Sequence, residues 1–347
     1  MKISKIPGLG RFGIFIDDIN FDNITDEEWQ EIGKLHLENL VTIIRNTNLD
    51  TFKYQELIFK LGLPRTNQAH RLHKKYGISV GEIFQKVLED SDLIDDEDKK
   101  FLRSSGKLIL IEDGKPTSII KVTGMKDAAG DPLGMFAEGE LLWHSNESGD
   151  LCFTPGVSLL GRSGVVGSAT GFLTTVDYYE SLSESFRSEL DEMVLLHRFT
   201  PGRINPGLIE EQDSIMRKNM CPVDGSRIPL VISSPGGHRG LHISVNTIDK
   251  IEGLSDAESK KILDKIQSEL FVEKYMYDHW YRSDTDLCLF DNSITLHRRL
   301  GGITNRMCYR MQHDYNFVQQ NPYIPYTTEP FVSEYRRRMA EMVDWIV

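Results

Sequence analysis

The stretch LFDNSITLHRR, residues 289–299, decides how we expect this chain to fold. It begins inside an apolar run, 287–291, that has the length and composition of a buried strand. Asn292 follows at a turn, because asparagine side chains readily bond nearby backbone groups. His297 lies on the segment beyond that turn. We therefore predict a sheet protein in which His297 projects from a strand.

Short apolar runs of the same kind recur along the chain, and helical patterns interrupt them. A helix is predicted from Thr25, where three acids and a candidate capping box suit its first turn. The further predicted helices are 51–62, 181–196 and 255–275, and the predicted strands are 13–19, 40–45, 107–111, 118–122, 157–160, 171–176, 228–232, 240–245 and 287–291. This order is mostly β with added helices (α+β) rather than alternating βαβ. A jelly roll, or double-stranded β-helix, fits it best.

Composition excludes several classes of protein. The chain has 347 residues and a net charge of −12, which argues against nucleic acid as its main partner. Its cysteines have no metal-type spacing, so we interpret them as buried thiols in a reducing compartment. The sequence lacks a signal peptide and a run long enough to cross a bilayer, so we expect a cytoplasmic protein without a membrane partner.

The domain organisation is expected to be simple. We predict a single catalytic domain over residues 1–347 with a helical insertion at about 66–105. That insertion is heavily charged, which is typical of a solvated helical segment or a lid.

Two histidine-bearing segments carry the candidate chemistry. One is LLWHSNE, residues 141–147, and the other is 289–299 together with NRMCYR, residues 305–310. A non-haem iron(II) site needs two imidazoles on one face of the metal and open positions opposite them. In a jelly roll, His144 near a strand end and His297 on a strand across the barrel mouth can meet. An arginine on the next strand can then clamp a carboxylate with two hydrogen bonds.

Taken together, these segments resemble the taurine dioxygenase family of 2-oxoglutarate-dependent oxygenases. The resemblance covers most of residues 12–315 loosely, and the motifs stand in the family's order and separations. The motifs are Trp143-His144-Ser145-Asn146, Gly167-Ser168-Ala169-Thr170, Asp291-Asn292 with His297, and Arg306 with Arg310.

The resemblance implies a role for each matched residue. His144 and His297 would bind Fe(II), and Thr170 and Arg306 would hold the distal carboxylate of the cosubstrate 2-oxoglutarate. Arg310 lies four residues after Arg306, so on a strand both side chains point to one side. Arg310 would meet either the cosubstrate or the substrate.

Two further residues have competing interpretations. Glu140 precedes the first motif and is a candidate for binding a substrate amine, with a solvated carboxylate as the alternative. Asn292 is either a residue that supports the metal ligands from behind or the centre of a local Asx turn.

The third metal ligand departs from the family pattern, which has a carboxylate where this chain has Asn146. Three arrangements stay open at this point. Asn146 ligates through its amide oxygen, or a bulge brings in the carboxylate of Glu147, or the position is left open as in the related halogenases. Charge favours Glu147, register favours Asn146, and the size of asparagine ranks halogenation last.

The expected function is that of a 2-oxoglutarate-dependent non-haem iron dioxygenase. It would use dioxygen to hydroxylate a small polar or amino-acid-like substrate. The alternatives are a related halogenase, or a non-catalytic jelly-roll binding protein with a weakened metal site. Family members are often oligomers, so the resemblance also implies a homo-oligomer.

Overall fold

The computed structural model describes residues 1–62, 72, 75–78, 80–99, 109–112, 115–128, 130, 133–134, 141–146, 148, 154–198, 225–245, 247–301, 305–313 and 315. The helices in this part of the chain are α1 (Asp26–Asn39), α2 (Thr51–Leu61), α3 (Val80–Leu88), α4 (Val176–Ser181), α5 (Glu184–Asp191) and α6 (Asp256–Leu270). The strands are β1 (Lys2–Lys5), β2 (Ile14–Asp17), β3 (Val41–Ile44), β4 (Ile109–Glu112), β5 (Lys115–Thr123), β6 (Leu141–His144), β7 (Gly156–Ser163), β8 (Ser168–Thr174), β9 (Val194–His197), β10 (Ser226–Pro229), β11 (Val231–Ser233), β12 (Arg239–Leu241), β13 (Ile248–Ile251), β14 (Met276–Trp280), β15 (Leu287–Asp291), β16 (Thr295–Gly301) and β17 (Met307–His313).

Two sheets dominate the architecture. The larger has the strand order β1-β2-β3-β15-β7-β17-β5-β4, and the smaller has the order β14-β8-β16-β6. Neighbouring strands in both sheets are antiparallel, except for β2 and β3, which run parallel. Two minor sheets, β10-β9-β13 and β11-β12, accompany them. The chain is thus mostly sheet with added helices, as predicted.

The alternation of side chains along the strands sorts them into layers. Phe290 of β15 packs against Phe172 of β8, with ring centroids 5.3 Å apart, in a core cluster that joins the two large sheets. Its neighbour Leu289 points the other way and packs in a cluster with Trp29 of α1 and Tyr54 of α2. The two large sheets therefore pack face to face, with Phe290 and Phe172 on their inner faces and Leu289 on an outer face.

The outer face of the smaller sheet is covered by a helix. Leu173 of β8 and Leu296 of β16 share a buried cluster with Leu263 and Ile266 of α6. Each of these two strand residues is next to an inward-facing residue, so β8 and the first three residues of β16 are buried on both faces. This explains why these strands do not show a simple apolar–polar alternation.

Several predicted elements are confirmed. Thr25 caps α1 in a full capping box, in which its side chain accepts from the Glu28 N–H while the Glu28 carboxylate accepts from the Thr25 N–H. The second predicted helix corresponds to α2, and the strand predicted at 287–291 corresponds to β15. Their local signals agree with the tertiary structure, which is why sequence patterns locate them correctly.

The helix predicted at 181–196 is wrong in its second half. Leu182 separates α4 from α5, Ser183 caps α5, and the chain then enters strand β9. Strand β9 pairs with β10 on one side and β13 on the other, so tertiary hydrogen bonding overrides the local helical pattern.

Other predicted elements are longer than the helices and strands that the structure contains. The helix predicted at 255–275 ends at Leu270 and is followed by a 3-10 turn, Glu273–Tyr275. The strand predicted at 228–232 is two strands that meet at Leu230, and the one predicted at 240–245 ends at Leu241.

The segment predicted as a helical insertion is described in part. It contains α3 and a small separate cluster formed by Leu72, Ile83, Val87 and Ile94. Elsewhere, Cys288 and Cys308 are free, buried thiols. Within the described residues, every helix is too short or too polar to cross a membrane.

Candidate active site

His144 and His297 lie side by side on the inner face of the smaller sheet. They are register partners on the antiparallel strands β6 and β16, and their ring centroids are 4.1 Å apart. Both side chains are buried, with 7% and 9% of their surface exposed. The strand ladder therefore brings together the two histidines that the sequence predicted as ligands.

The tautomer of His144 follows from its hydrogen bond. Its Nδ1 lies 2.7 Å from the main-chain oxygen of Leu142, and because a carbonyl oxygen only accepts, Nδ1 carries the proton. The lone pair is then on Nε2. Burial lowers the pKa of His144 to about 4, and the nearby positive charge of Arg310 acts in the same direction. The ring is therefore neutral at pH 7, as a metal ligand must be.

His297 has a similar environment. Its ring packs against Phe290, with centroids 4.7 Å apart. Burial lowers the pKa of His297 well below its ordinary value, followed by repulsion from His144 and Arg310. Two neutral imidazoles that contact each other in a buried position are suited to bind one divalent cation together.

Asn146 follows His144 by two residues and is also buried, with 7% of its surface exposed. The main chain of Asn146 is bonded to the Asn292 side chain. The Asn146 N–H donates to Asn292 Oδ1 at 2.8 Å, and Asn292 Nδ2 donates to the Asn146 oxygen at 2.9 Å. Among the described residues, the Nδ2 atom of Asn146 has no hydrogen-bond partner. The side-chain nitrogen of Asn146 therefore does not tie the carboxamide to any described residue.

The local Asx turn is made by Asp291 rather than by Asn292. Asp291 Oδ1 accepts from the N–H groups of Ser293 and Ile294 at 2.9 and 2.8 Å. Asn292 instead reaches across to the segment that follows His144, which agrees with the interpretation of Asn292 as a supporting residue.

Thr170 and Arg306 form a second part of the site. Arg306 Nη2 donates to Thr170 Oγ1 at 3.1 Å, and Nη1 donates to the Ala169 oxygen at 3.4 Å. The Tyr281 hydroxyl lies 3.0 Å from Thr170 Oγ1, and the guanidinium carbon of Arg306 lies 5.4 Å from the Tyr281 ring centroid. Arg306 is only 3% exposed, and no carboxylate in the described part of the chain pairs with it. A buried guanidinium of this kind is suited to bind an anion.

Arg310 lies on β17 and is buried, four residues after Arg306. Its positive charge lowers the pKa of both histidines, as noted above. Arg306, by contrast, bonds to Thr170.

Arg299 was missed by the sequence analysis. It is the register partner of Thr170 on β8 and of Leu141 on β6, and only 4% of it is exposed. Burial lowers the pKa of Arg299 to about 10, and the charge of Arg306 adds to this. The signal was available, because a residue two positions after His297 on a strand points to the same face.

Two predicted site residues, Glu140 and Glu147, lie outside the described residues. Within the described part, no group of three or more His, Cys, Asp or Glu side chains is arranged to hold a metal ion. The donors that the structure brings together are the two imidazoles, and Asn146 follows His144 by two residues with a buried side chain.

Comparisons with known proteins agree with this geometry. The model of the family described as "Taurine catabolism dioxygenase TauD, TfdA family" matches residues 5–312. Pentalenolactone F synthase from Streptomyces arenae is 27% identical over 170 residues, which are 45% of this chain and 55% of that protein. The chain therefore spans little more than half the length of that curated relative.

Solved structures share the fold at low sequence identity. The structure of AAD-2 in complex with Mn(II) and N-oxalylglycine has a TM-score of 0.62 and 15% identity, and the match covers 91% of this chain and 98% of that one. A taurine dioxygenase from Burkholderia xenovorans has a TM-score of 0.60 and 17% identity, with 90% of each chain covered.

Proposed function

Because this chain belongs to the TauD/TfdA family of 2-oxoglutarate-dependent iron dioxygenases, we propose that it hydroxylates a small polar or amino-acid-like substrate. The enzyme uses Fe(II) as its cofactor and 2-oxoglutarate as its cosubstrate. The observation that carries the proposal is the contact between the two neutral histidines, His144 and His297, on the sheet face that also holds Thr170.

We further infer that the two large sheets form a double-stranded β-helix. Eight strands, taken in chain order, are β5, β6, β7, β8, β14, β15, β16 and β17. If these are numbered one to eight, the larger sheet has the order six, three, eight, one, and the smaller has the order five, four, seven, two. Successive strands thus alternate between the sheets, except at the fourth and fifth, as two interleaved Greek keys require.

The donor set supports a metal in the mouth between the sheets. His144 and His297 supply neutral imidazole nitrogens, and Asn146, two residues after His144, would supply a carboxamide oxygen. When bound, Fe(II) provides the redox chemistry by which dioxygen oxidises the substrate, while 2-oxoglutarate becomes succinate and carbon dioxide. The role of the protein is to hold the ligands in one orientation and to keep bulk water away from them. We call the buried region between the two large sheets at His144, His297, Thr170 and Arg306 the chamber.

Arg306 and Thr170 are suited to hold the distal carboxylate of 2-oxoglutarate. Two Arg306 nitrogens donate to β8, one to the Thr170 hydroxyl and one to the Ala169 oxygen. The Thr170 hydroxyl can donate to an anion while it accepts from Arg306. Arg310, four residues later in the chain, would then meet the substrate or the keto-acid end of 2-oxoglutarate. Glu140 stays a candidate for a substrate amine.

The wider setting of the enzyme is part of the same proposal. We take residues 1–347 as one catalytic domain with a jelly-roll core and a helical insertion at about 66–105. The buried, free thiols Cys288 and Cys308 favour a reducing compartment such as the cytoplasm. The family resemblance favours a homo-oligomer.

A direct test is anaerobic addition of Fe(II) and 2-oxoglutarate, followed by absorption spectroscopy. The expected result is a visible charge-transfer band in the wild-type protein and its loss in His297→Ala. The same samples, exposed to air, should form succinate only when iron is present. A wild-type protein without the band, or a band of full strength in His297→Ala, would overturn the proposal.

Asn146 favours a second candidate function. A neutral residue at a position where the family has a carboxylate weakens cation binding, which suits a non-catalytic protein that binds 2-oxoglutarate. Iron-dependent succinate formation would exclude that candidate. A related halogenase would instead require chloride or bromide in the product, so mass spectrometry of the product separates halogenation from hydroxylation.

A further inference from the structure

Asn292 is buried, and all of its side-chain hydrogen bonds cross to another segment of the chain. Its exposed fraction is 0%. Besides the two bonds to the main chain of Asn146, its Nδ2 donates to the Thr154 oxygen at 2.8 Å. The side chain therefore joins the two ends of the segment that begins after His144 and reaches β7.

We propose that Asn292 is a positioning residue for the metal centre: it fixes the main chain of residue 146 and thereby makes Asn146, rather than Glu147, the third metal ligand. This inference rests on the proposed function, since it concerns the same metal. It goes beyond that function by choosing between two ligand sets and by assigning a role to a residue that does not touch the metal.

The chemistry of the carboxamide is matched to this role. An asparagine side chain has one acceptor oxygen and two N–H donors in one plane. Here the oxygen accepts one N–H, and the nitrogen donates to two carbonyl oxygens. Aspartate has the same shape but lacks both donors, and leucine has the same bulk but lacks all three bonds. No other side chain except glutamine, which is longer, supplies this set.

The clamp is itself held rigidly. The Asn292 N–H donates to the Pro155 oxygen at 2.7 Å, and the preceding Asp291 N–H donates to the Leu40 oxygen at 2.8 Å. The turn that carries Asn292 connects β15 directly to β16, the strand that bears His297. One short turn therefore sets the position of residue 146 relative to the second histidine.

Both main-chain hydrogen-bonding groups of residue 146 are used by the clamp. To bring residue 147 to the same place, the chain would have to slip by one residue and break both bonds with Asn292. Breaking a buried hydrogen bond leaves an unsatisfied polar group, which destabilises the folded chain. The Asn146 side chain is already buried, and its Nδ2 bonds to nothing in the described part of the chain. Register and clamp thus both favour Asn146.

The experiment is a titration of metal-depleted protein with Mn(II) in the presence of 2-oxoglutarate, read by calorimetry. The variants are Asn292→Asp, Asn292→Leu, Asn146→Asp, Asn146→Ala and Glu147→Gln. The matched control is Asp291→Asn, because asparagine at 291 can still accept the two turn hydrogen bonds that Asp291 makes. Thermal unfolding of each metal-free variant reports whether it is folded.

We expect Asn292→Asp to weaken Mn(II) binding about 10- to 100-fold, as loss of a group that orients a ligand typically does. Asp291→Asn and Glu147→Gln should bind Mn(II) like the wild type, whereas Asn146→Ala should bind it more weakly. Asn146→Asp should bind more tightly, and this gain should shrink when Asn292→Asp is added.

Two results would overturn the inference. One is wild-type Mn(II) affinity in folded Asn292→Asp. The other is loss of affinity in Glu147→Gln together with retention in Asn146→Ala. If Asn292→Leu fails to fold, the isosteric Asn292→Asp and the variants at 146 and 147 still decide the question. If the proposed metal and cosubstrate site is itself wrong, the wild-type protein will not bind Mn(II) with 2-oxoglutarate, which is a distinct result.

Discussion

His144 and His297 face each other across two antiparallel strands, so main-chain hydrogen bonds fix their separation before any metal arrives. A preformed pair of neutral imidazoles loses little conformational freedom on binding a cation. The same strands also carry Arg299 and end near Asn146. The chamber is thus assembled by sheet register rather than by loops.

Metal binding should therefore stabilise the fold. At a free Mn(II) concentration of 100 times the Kd, the gain in unfolding free energy is about 2.7 kcal/mol. We expect a clear rise in Tm on addition of Mn(II) to the wild-type protein and its reversal by a chelator. His297→Ala should show no rise. His36→Gln is the control, because His36 is also buried but lies on α1, where its Nε2 is 2.9 Å from the Tyr315 hydroxyl; a missing rise in that variant would contradict the assignment.

Arg306 should control the affinity for 2-oxoglutarate. Arg306→Met keeps the apolar stem but removes a charge-assisted pair of hydrogen bonds, which is worth about 2 kcal/mol, or roughly 30-fold in Kd. Calorimetry with 2-oxoglutarate in the presence of Mn(II) measures this loss. Thr170→Val should weaken binding less, because it removes one neutral hydroxyl. Equal affinities for wild type and Arg306→Met would place the distal carboxylate elsewhere.

Arg299 and Arg298 offer a matched comparison on one strand. Arg299 faces the chamber beside Thr170, whereas Arg298 faces outward, where it pairs with Asp278 at 2.8 Å and lies 4.3 Å from the Trp143 ring centroid. We expect Arg299→Met to raise the KM for 2-oxoglutarate or substrate several-fold, since it removes a buried positive charge near an anion. Arg298→Met should leave both KM values unchanged. The opposite ranking of the two variants would mean that the strand faces are assigned wrongly.

The site residues with a motif were predictable, and those set by tertiary contacts were not. Four of the residues that the family resemblance implies lie on the inner sheet faces or next to them: His144, Thr170, His297 and Arg306. They were predictable because their motifs stand in the family's order and separations along the chain. Arg299 carries no motif. Its place beside Thr170 depends on the register of β16 with β8, and no sequence motif indicates that pairing.

The fold shows the same division. Helix α1 begins where its capping residues predict, because those bonds are local. Strand β9 was predicted as helix, because its pairing with β10 and β13 involves residues distant in sequence. Similarly, asparagine is common in turns, and nothing local distinguishes Asn292 as a clamp on residue 146.

A last prediction concerns pH and a histidine pair outside the active site. His36 and His313 are both fully buried, and His36 Nε2 lies 2.9 Å from the Tyr315 hydroxyl. Burial lowers the pKa of each to about 3, and for His313 the nearby His36 adds to this. Unfolded histidine has a pKa of about 6.5. The unfolded chain therefore takes up protons that the folded chain excludes as the pH falls below about 6.5.

Protonation in the unfolded chain makes these two histidines destabilising at low pH. The stabilisation from each neutral histidine is fully present above about pH 6.5. It decreases by about 1.4 kcal/mol per pH unit as the pH falls toward the folded pKa of about 3. Asp291 acts in the opposite direction, because burial raises its pKa to about 7. Comparison of variants with the wild type removes that contribution.

Urea unfolding of the metal-free protein at pH 7 and pH 5.5 measures the effect. The wild type should be less stable at the lower pH, and His36→Gln should lose less stability between the two values, by about 1 kcal/mol. His36→Gln will itself be less stable at pH 7, so the difference between the two pH values is the quantity that counts. Glu31→Gln, an exposed change on the same helix, is the control and should behave like the wild type. An identical pH dependence in His36→Gln and wild type would mean that His36 is protonated equally in the folded and unfolded chain.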